Sequence, residues 1–230
     1  MKALKILSAG AVKSGVAQLA AAYSAERGTP VSVQFATAPE LLNRLDFGEV
    51  FDVLVAPPSV MDKAAEAGRI VETSRVFIGR SRMGVVVHVE CPITQVPDGD
   101  AFKQMLAGAS MLVHNTASSG IYAARMLGDM GLSQELGSRR VIVNTGAAVM
   151  ECVAEHPPDA IGLAQISEVR VLIDKGLPVR LAGPLPDAVQ NITRYEAAAI
   201  VHDEYAAAAS LAAFLATPDA RRVFAASGID

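Results

Sequence analysis

Ser118 and Ser119 stand where a polar stretch gives way to Ile121, Ala124, Leu127 and Met130, apolar positions at helical spacing. Met111 to Val113 read as the end of a buried strand, and His114 to Gly120 as a short polar loop. The two serines therefore fall at a predicted helix start. Such a start presents unpaired N–H groups and a partial positive charge, which together receive an anion. Small side chains let a ligand approach that backbone closely. The plainer reading is that one serine merely caps the helix.

The same strand–loop–helix pattern recurs along the chain. Residues 4–9 read as a strand and lead through Gly10 to Gly15 into a helix bearing Val16, Leu19, Ala20 and Tyr23 on one face. Val31, Val33 and Phe35 alternate with polar residues, so 31–36 is a second strand. Residues 37–40 open a helix with Leu41, Leu42 and Leu45 inward. Residues 51–56 form a third strand, stopped by Pro57-Pro58, and Met61 to Gly68 a short helix. This alternation predicts a mostly parallel sheet with right-handed crossovers.

The pattern changes at Gly79–Gly84. Val85 to Val89 is a continuous strand after no long helix, so the chain is expected to pass there into a second lobe. Further strands are read at 140–143 and 161–164, and a returning strand at 195–201, while Val179–Leu181 precedes a turn at Gly183–Pro186. Helices are read at 100–107, 132–136, 147–155 and 203–216, with a last short one from Pro218 to about Gly228. The expected lobes are 1–80 with 203–230, and 81–202.

Ligands of open parallel sheets bind beyond the carboxyl ends of the strands. Five loops fall there: 8–14, 37–40, 114–119, 144–146 and 165–167. They carry Lys13, Thr37, His114, Ser118, Ser119, Thr145, Gln165 and other small polar groups, with few charges. Each residue alone reads as a cap or turn former. The repeated placement points to a pocket of neutral donors suited to a small anion.

Composition removes several classes. The chain has 230 residues, a net charge of −4 and no Trp. That balance argues against non-specific nucleic-acid binding and a base-stacking surface. Cys91 and Cys152 match neither a zinc nor a redox spacing and read as ordinary buried thiols. Neither a metal nor a cofactor is expected. No apolar run is long enough to span a membrane. Met1-Lys2-Ala3 leads straight into the first strand. The expectation is therefore a cytoplasmic protein, or a periplasmic one if a native signal peptide is missing.

The segments Ile6–Ala11, Phe35–Leu41, Phe51–Ala56 and Ser119–Ala123, with Ile161-Gly162 and its loop, resemble the molybdate-binding-protein family of the type II periplasmic-binding fold. The resemblance covers nearly the whole chain. It implies two α/β lobes, each a mostly parallel sheet flanked by helices, that close on an oxyanion. It also implies that Ala11, Thr37, Ala38, Ser118, Ser119, Ala147 and Gln165 occupy binding positions. Three of these depart from the family: Ala11 and Ala38 stand where molybdate binders offer serine, and Gln165 stands in place of tyrosine. Backbone donors near Ser119 and Ala147 survive, but three side-chain donors are lost or altered. Each charge-assisted bond is worth about 1.5–3 kcal/mol, so molybdate and tungstate are not the expected ligands.

Ala117–Gly120, Gln165–Glu168 and Gly183–Pro186 are similar to a divergent branch typified by trans-aconitate isomerase. The expected function is binding of a small organic anion, a di- or tricarboxylate, between the lobes. A transporter is an expected partner only if the protein is exported. The alternative is a cytoplasmic isomerase of an unsaturated polycarboxylic acid. Moving a double bond beside a carboxylate requires a proton removed and returned, best by a group of near-neutral pKa. His114 is the first candidate and Lys13 the second. Arg80, Arg82 and Arg194 are candidate carboxylate clamps. Their plainer readings are a loop hydrogen-bonder for His114 and surface solvation for the arginines.

Overall fold

The computed structural model describes residues 3–156, 158–202 and 205–230. Pro157, just beyond the expected helix 147–155, and Asp203 and Glu204, at the start of the expected helix 203–216, lie outside them, as do Met1 and Lys2. The chain forms two compact units. The first comprises the described residues up to Ser81 and from Thr193 onward; the second runs from Arg82 to Ile192.

The first unit opens with β1 (Leu4–Ala9), α1 (Lys13–Arg27), β2 (Val31–Ala36), α2 (Ala38–Asp46), β3 (Val53–Ala56) and α3 (Pro58–Glu66). β1 pairs parallel with both β2 and β3. β4 (Val76–His88) then carries the chain into the second unit. It starts well before the expected Val85, because Ile78 is already buried in the first unit's core.

The second unit continues with α4 (Gly99–Ala107), β5 (Met111–Asn115), α5 (Ser118–Asp129), α6 (Leu132–Leu136), β6 (Arg140–Val143), α7 (Gly146–Glu155), β7 (Ala160–Gln165), α8 (Ile166–Asp174) and β8 (Val179–Pro184). β5 pairs parallel with β6 and β7, while β4 pairs antiparallel with β7 and β8. Parallel and antiparallel ladders are thus balanced here rather than mostly parallel. β9 (Ile192–Ala199), α9 (Ala206–Phe214) and α10 (Pro218–Ala226) complete the chain. β9 pairs antiparallel with β3, Val53 facing Ala199. Thr193 onward therefore belongs with the first unit, where the sequence reading kept the second lobe to 202.

Side-chain alternation builds the cores. In the second unit Val85 and Val87 join Leu112, Ile161 and Leu163 on one face, while Val86 joins Val113, Val149 and Val153 on the other. Successive strand residues point to opposite faces, so this sheet is buried on both. In the first unit Ile6, Leu7, Val53, Leu54 and Val55 are fully enclosed. There α1 meets α10 closely: a Cβ at Gly15 would lie 2.4 Å from the Phe224 ring. No helix among the described residues is long and apolar enough to cross a membrane.

Candidate functional site

The second unit brings three helix starts to one edge of three adjacent parallel strands. β6, β5 and β7 lie side by side, and α7, α5 and α8 follow their carboxyl ends. The turns are tied together: Thr116 N–H donates to Val143 O at 3.0 Å and Thr116 Oγ1 to Asn144 O at 3.3 Å.

At the start of α5 the organising residue is Asn115. β5 runs two residues further than expected, because His114 and Asn115 stay in register with Ile142 and Val143 of β6. From that fixed position Asn115 Oδ1 accepts from the N–H groups of Ala117 and Gly120, both at 3.0 Å. Ser119 Oγ, buried, lies 3.3 Å from Asn115 Nδ2. Neither serine side chain caps α5. Gly120 is required by close approach, since a Cβ there would sit 1.7 Å from the Asn115 carbonyl oxygen. The N–H groups of Ser118 and Ser119 have no acceptor among the described residues.

α7 repeats the arrangement. Thr145 Oγ1 accepts from Ala148 N–H at 3.1 Å. The N–H groups of Gly146 and Ala147 have no acceptor among the described residues. Two helix starts on neighbouring strands thus leave four backbone donors open.

α8 brings the residue that the sequence reading passed over as a site group. Glu168 occupies the third position of α8, with its carboxyl against the start of α7: a Cβ on Gly146 would lie 1.9 Å from Glu168 Oε2. The residue keeps part of its surface open, while its carboxyl is enclosed by protein. Neither a hydrogen-bond donor nor a cation contacts it among the described residues. Burial without compensation pushes its pKa up from 4.5 to about 7. The signal for α8 is the spacing of Ile166, Val169, Leu172 and Ile173, which makes 166–174 a helix beyond the expected loop 165–167.

His114 is held rather than exposed for proton transfer. It is buried, its Nδ1 lies 3.0 Å from Asn115 O, and Arg140 Nε donates to its Nε2 at 2.9 Å. Accepting from Arg140 requires a bare Nε2, so the proton sits on Nδ1 and points at the Asn115 carbonyl. Burial lowers its pKa, and the Arg140 charge adds to that, against the opposing Asn115 bond. With both nitrogens occupied, His114 fits the loop-bonding reading and not that of a base. Gln165 is buried at the end of β7, in register with Met83, and precedes α8.

The remaining candidates lie in the first unit. Ala11 sits in a 3-10 turn after β1, and Lys13 begins α1 with its Nζ 5.3 Å from the Phe35 ring centre. Thr37 precedes α2 and Ala38 begins it. Thr37 offers no free group: its N–H and its hydroxyl both donate to Glu40 Oε2 at 2.8 Å. The Thr37 N–H holds the Glu40 carboxyl below its ordinary range. Arg80 pairs through its backbone with Asp230 at the end of the chain, and its guanidinium is 3.8 Å from the Asp230 carboxylate. Arg194 lies over the Phe77 ring at 4.9 Å. Arg82, the third clamp candidate, is the first residue of the second unit. Among the described residues no cluster of His, Cys, Asp or Glu could hold a metal. A cavity of about 500 Å³ opens elsewhere in the first unit, lined by Phe51, Asp52, Arg69 and His202. Asp52 there accepts from Lys5 N–H at 2.7 Å, a bond that secures the start of β1.

Residues 4–230 match the family described as bacterial extracellular solute-binding protein. The chain belongs to that family. Its fold is that of the type II periplasmic binding proteins. The family member is 29% identical over 236 residues to an aconitate isomerase from a Pseudomonas species, across 98% of this chain and 87% of that protein. It superimposes with a TM-score of 0.80 on the periplasmic molybdate-binding protein of Azotobacter vinelandii, at 16% identity, covering 99% and 98% of the two chains. The sulfate-binding protein SubI of Mycobacterium tuberculosis H37Rv gives 0.77 at 13% identity, covering 100% and 86%. At such identities the structural likenesses establish the fold alone.

Proposed function

We propose that this solute-binding family member takes a small organic anion with two or three carboxylates. One carboxylate is received by the N–H groups that open α5 and α7. The observation that carries this reading is the set of four backbone donors at Ser118, Ser119, Gly146 and Ala147, without acceptors among the described residues, on one sheet edge. Two helix dipoles reinforce them. The positions Ala11, Ala38 and Gln165 supply no hydroxyl, which favours a ligand that needs fewer converging donors than molybdate.

The match to an aconitate isomerase over 98% of the chain favours a second reading, isomerisation of an unsaturated polycarboxylic acid. Binding is common to both. The test is a thermal-shift series with citrate, trans-aconitate, succinate, sulfate and molybdate, followed by calorimetry. A ligand at one hundred times its Kd stabilises the native state by about 2.7 kcal/mol. The expected result is a shift with the polycarboxylates and none with molybdate. Submicromolar molybdate affinity would overturn the reading.

A further inference from the structure

We propose that Glu168 is the catalytic acid–base residue of this site, carrying a proton between two carbons of an unsaturated carboxylate ligand. The inference rests on the isomerase reading above and names the group that would do its chemistry. Three observations support it. The Glu168 carboxyl lies against Gly146, beside the open N–H groups of Gly146 and Ala147 that would hold the ligand's carboxylate. Among the described residues no cation pairs with it and no donor bonds to it. Its enclosure by protein leaves it poised near neutrality, as a proton carrier requires. His114, the other candidate in this unit, has both nitrogens occupied.

The step balances without a co-reactant. The Glu168 carboxylate takes a proton from a methylene that lies between a carboxylate and a carbon–carbon double bond. The C–H pair forms a new double bond to the neighbouring carbon. The old double bond's pair moves to its far carbon, where the Glu168 carboxyl returns the proton. Between the two transfers, negative charge spreads onto the ligand's carboxylates, and the N–H groups at the starts of α5 and α7 face it. Nothing is oxidised or reduced, and Glu168 ends as it began.

The test uses trans-aconitate in D2O, followed by proton NMR for methylene exchange and isomer conversion, with thermal shift as a separate measure of binding. The wild type should convert, and any deuterium gained by the methylene reports a proton that leaves Glu168 between the two transfers. Glu168→Gln should keep or enlarge its thermal shift with trans-aconitate, since it removes a negative charge beside the ligand's carboxylate, and lose conversion at least a hundredfold. Glu168→Asp, which retains the acid but retracts it by one methylene, should fall between them and guards against a Gln variant that misfolds. Conversion by Glu168→Gln within threefold of wild type would overturn the proposal, as would wild-type binding with neither exchange nor conversion. Those results would leave the binding reading standing. A wild type that shows no thermal shift with any polycarboxylate would remove both.

Discussion

The carboxyl of Glu168 packs against the backbone of Gly146, leaving no room for a methyl group: a Cβ there would sit 1.9 Å from Oε2. A residue on α8 is thereby fixed at the start of α7. The glycine makes the approach, and the absence of counter-charge makes it costly for an ionised acid.

That cost has a sign. Glu168 has a folded-state pKa raised from 4.5 to about 7. Its contribution to stability is fully present below pH 4.5 and is lost as pH rises through 7. The shift corresponds to about 3 kcal/mol of destabilisation above pH 8. Glu168→Gln should therefore match wild type near pH 4 and exceed it by about 3 kcal/mol at pH 8 in urea unfolding. An equal difference at both pH values would show that the carboxyl titrates normally.

Gly146→Ala should force the flexible Glu168 side chain out of its enclosure. Once solvated, the carboxyl should return towards its ordinary pKa, and the fall in melting temperature between pH 5 and pH 8 should shrink. Retention of the full wild-type slope would mean that the helix starts shift instead of the side chain.

Asn115 should be separable into structural and electrostatic parts. Asn115→Ala strands the N–H groups of Ala117 and Gly120 and should cost about 2–4 kcal/mol. Asn115→Asp keeps an acceptor for both donors, so most of that stability should return. It also sets a negative charge beside Ser118 and Ser119, so polycarboxylate affinity should drop about tenfold by calorimetry. Unchanged affinity in Asn115→Asp would place the anion elsewhere.

Backbone donors at Ser119 should matter more than its hydroxyl, which is already engaged with Asn115. Ser119→Pro removes one open N–H and should weaken binding much more than Ser119→Ala. Circular dichroism must first show that the proline variant folds. Equal and negligible effects on binding would show that α5 does not contribute.

His114 should stay neutral on its Nε2 at pH 7, with the proton on Nδ1, in nitrogen-15 NMR. Because burial depresses its pKa below 6.5, the stability it contributes is present above 6.5 and lost as pH falls through its lowered value. A protonated imidazolium at pH 6.5 would contradict the Arg140 bond.

The sequence by itself determined the local elements, because their signals are local. β1 and β2 fall on the predicted residues 4–9 and 31–36, where period-two alternation and continuous apolar runs need no tertiary context. The helix starts at Ser118 and near Ala147 were legible for the same reason. Tertiary structure decided what crosses between elements. Pairing with β6 kept His114 and Asn115 in a strand and so occupied the imidazole that the sequence offered as a base. Pairing with β3 assigned β9 to the first unit. The enclosure of Glu168 depends on α8 lying against a glycine twenty-two residues earlier in the chain (168 against 146). A carboxyl's pKa is set by what surrounds it, and residue type carries no record of those surroundings.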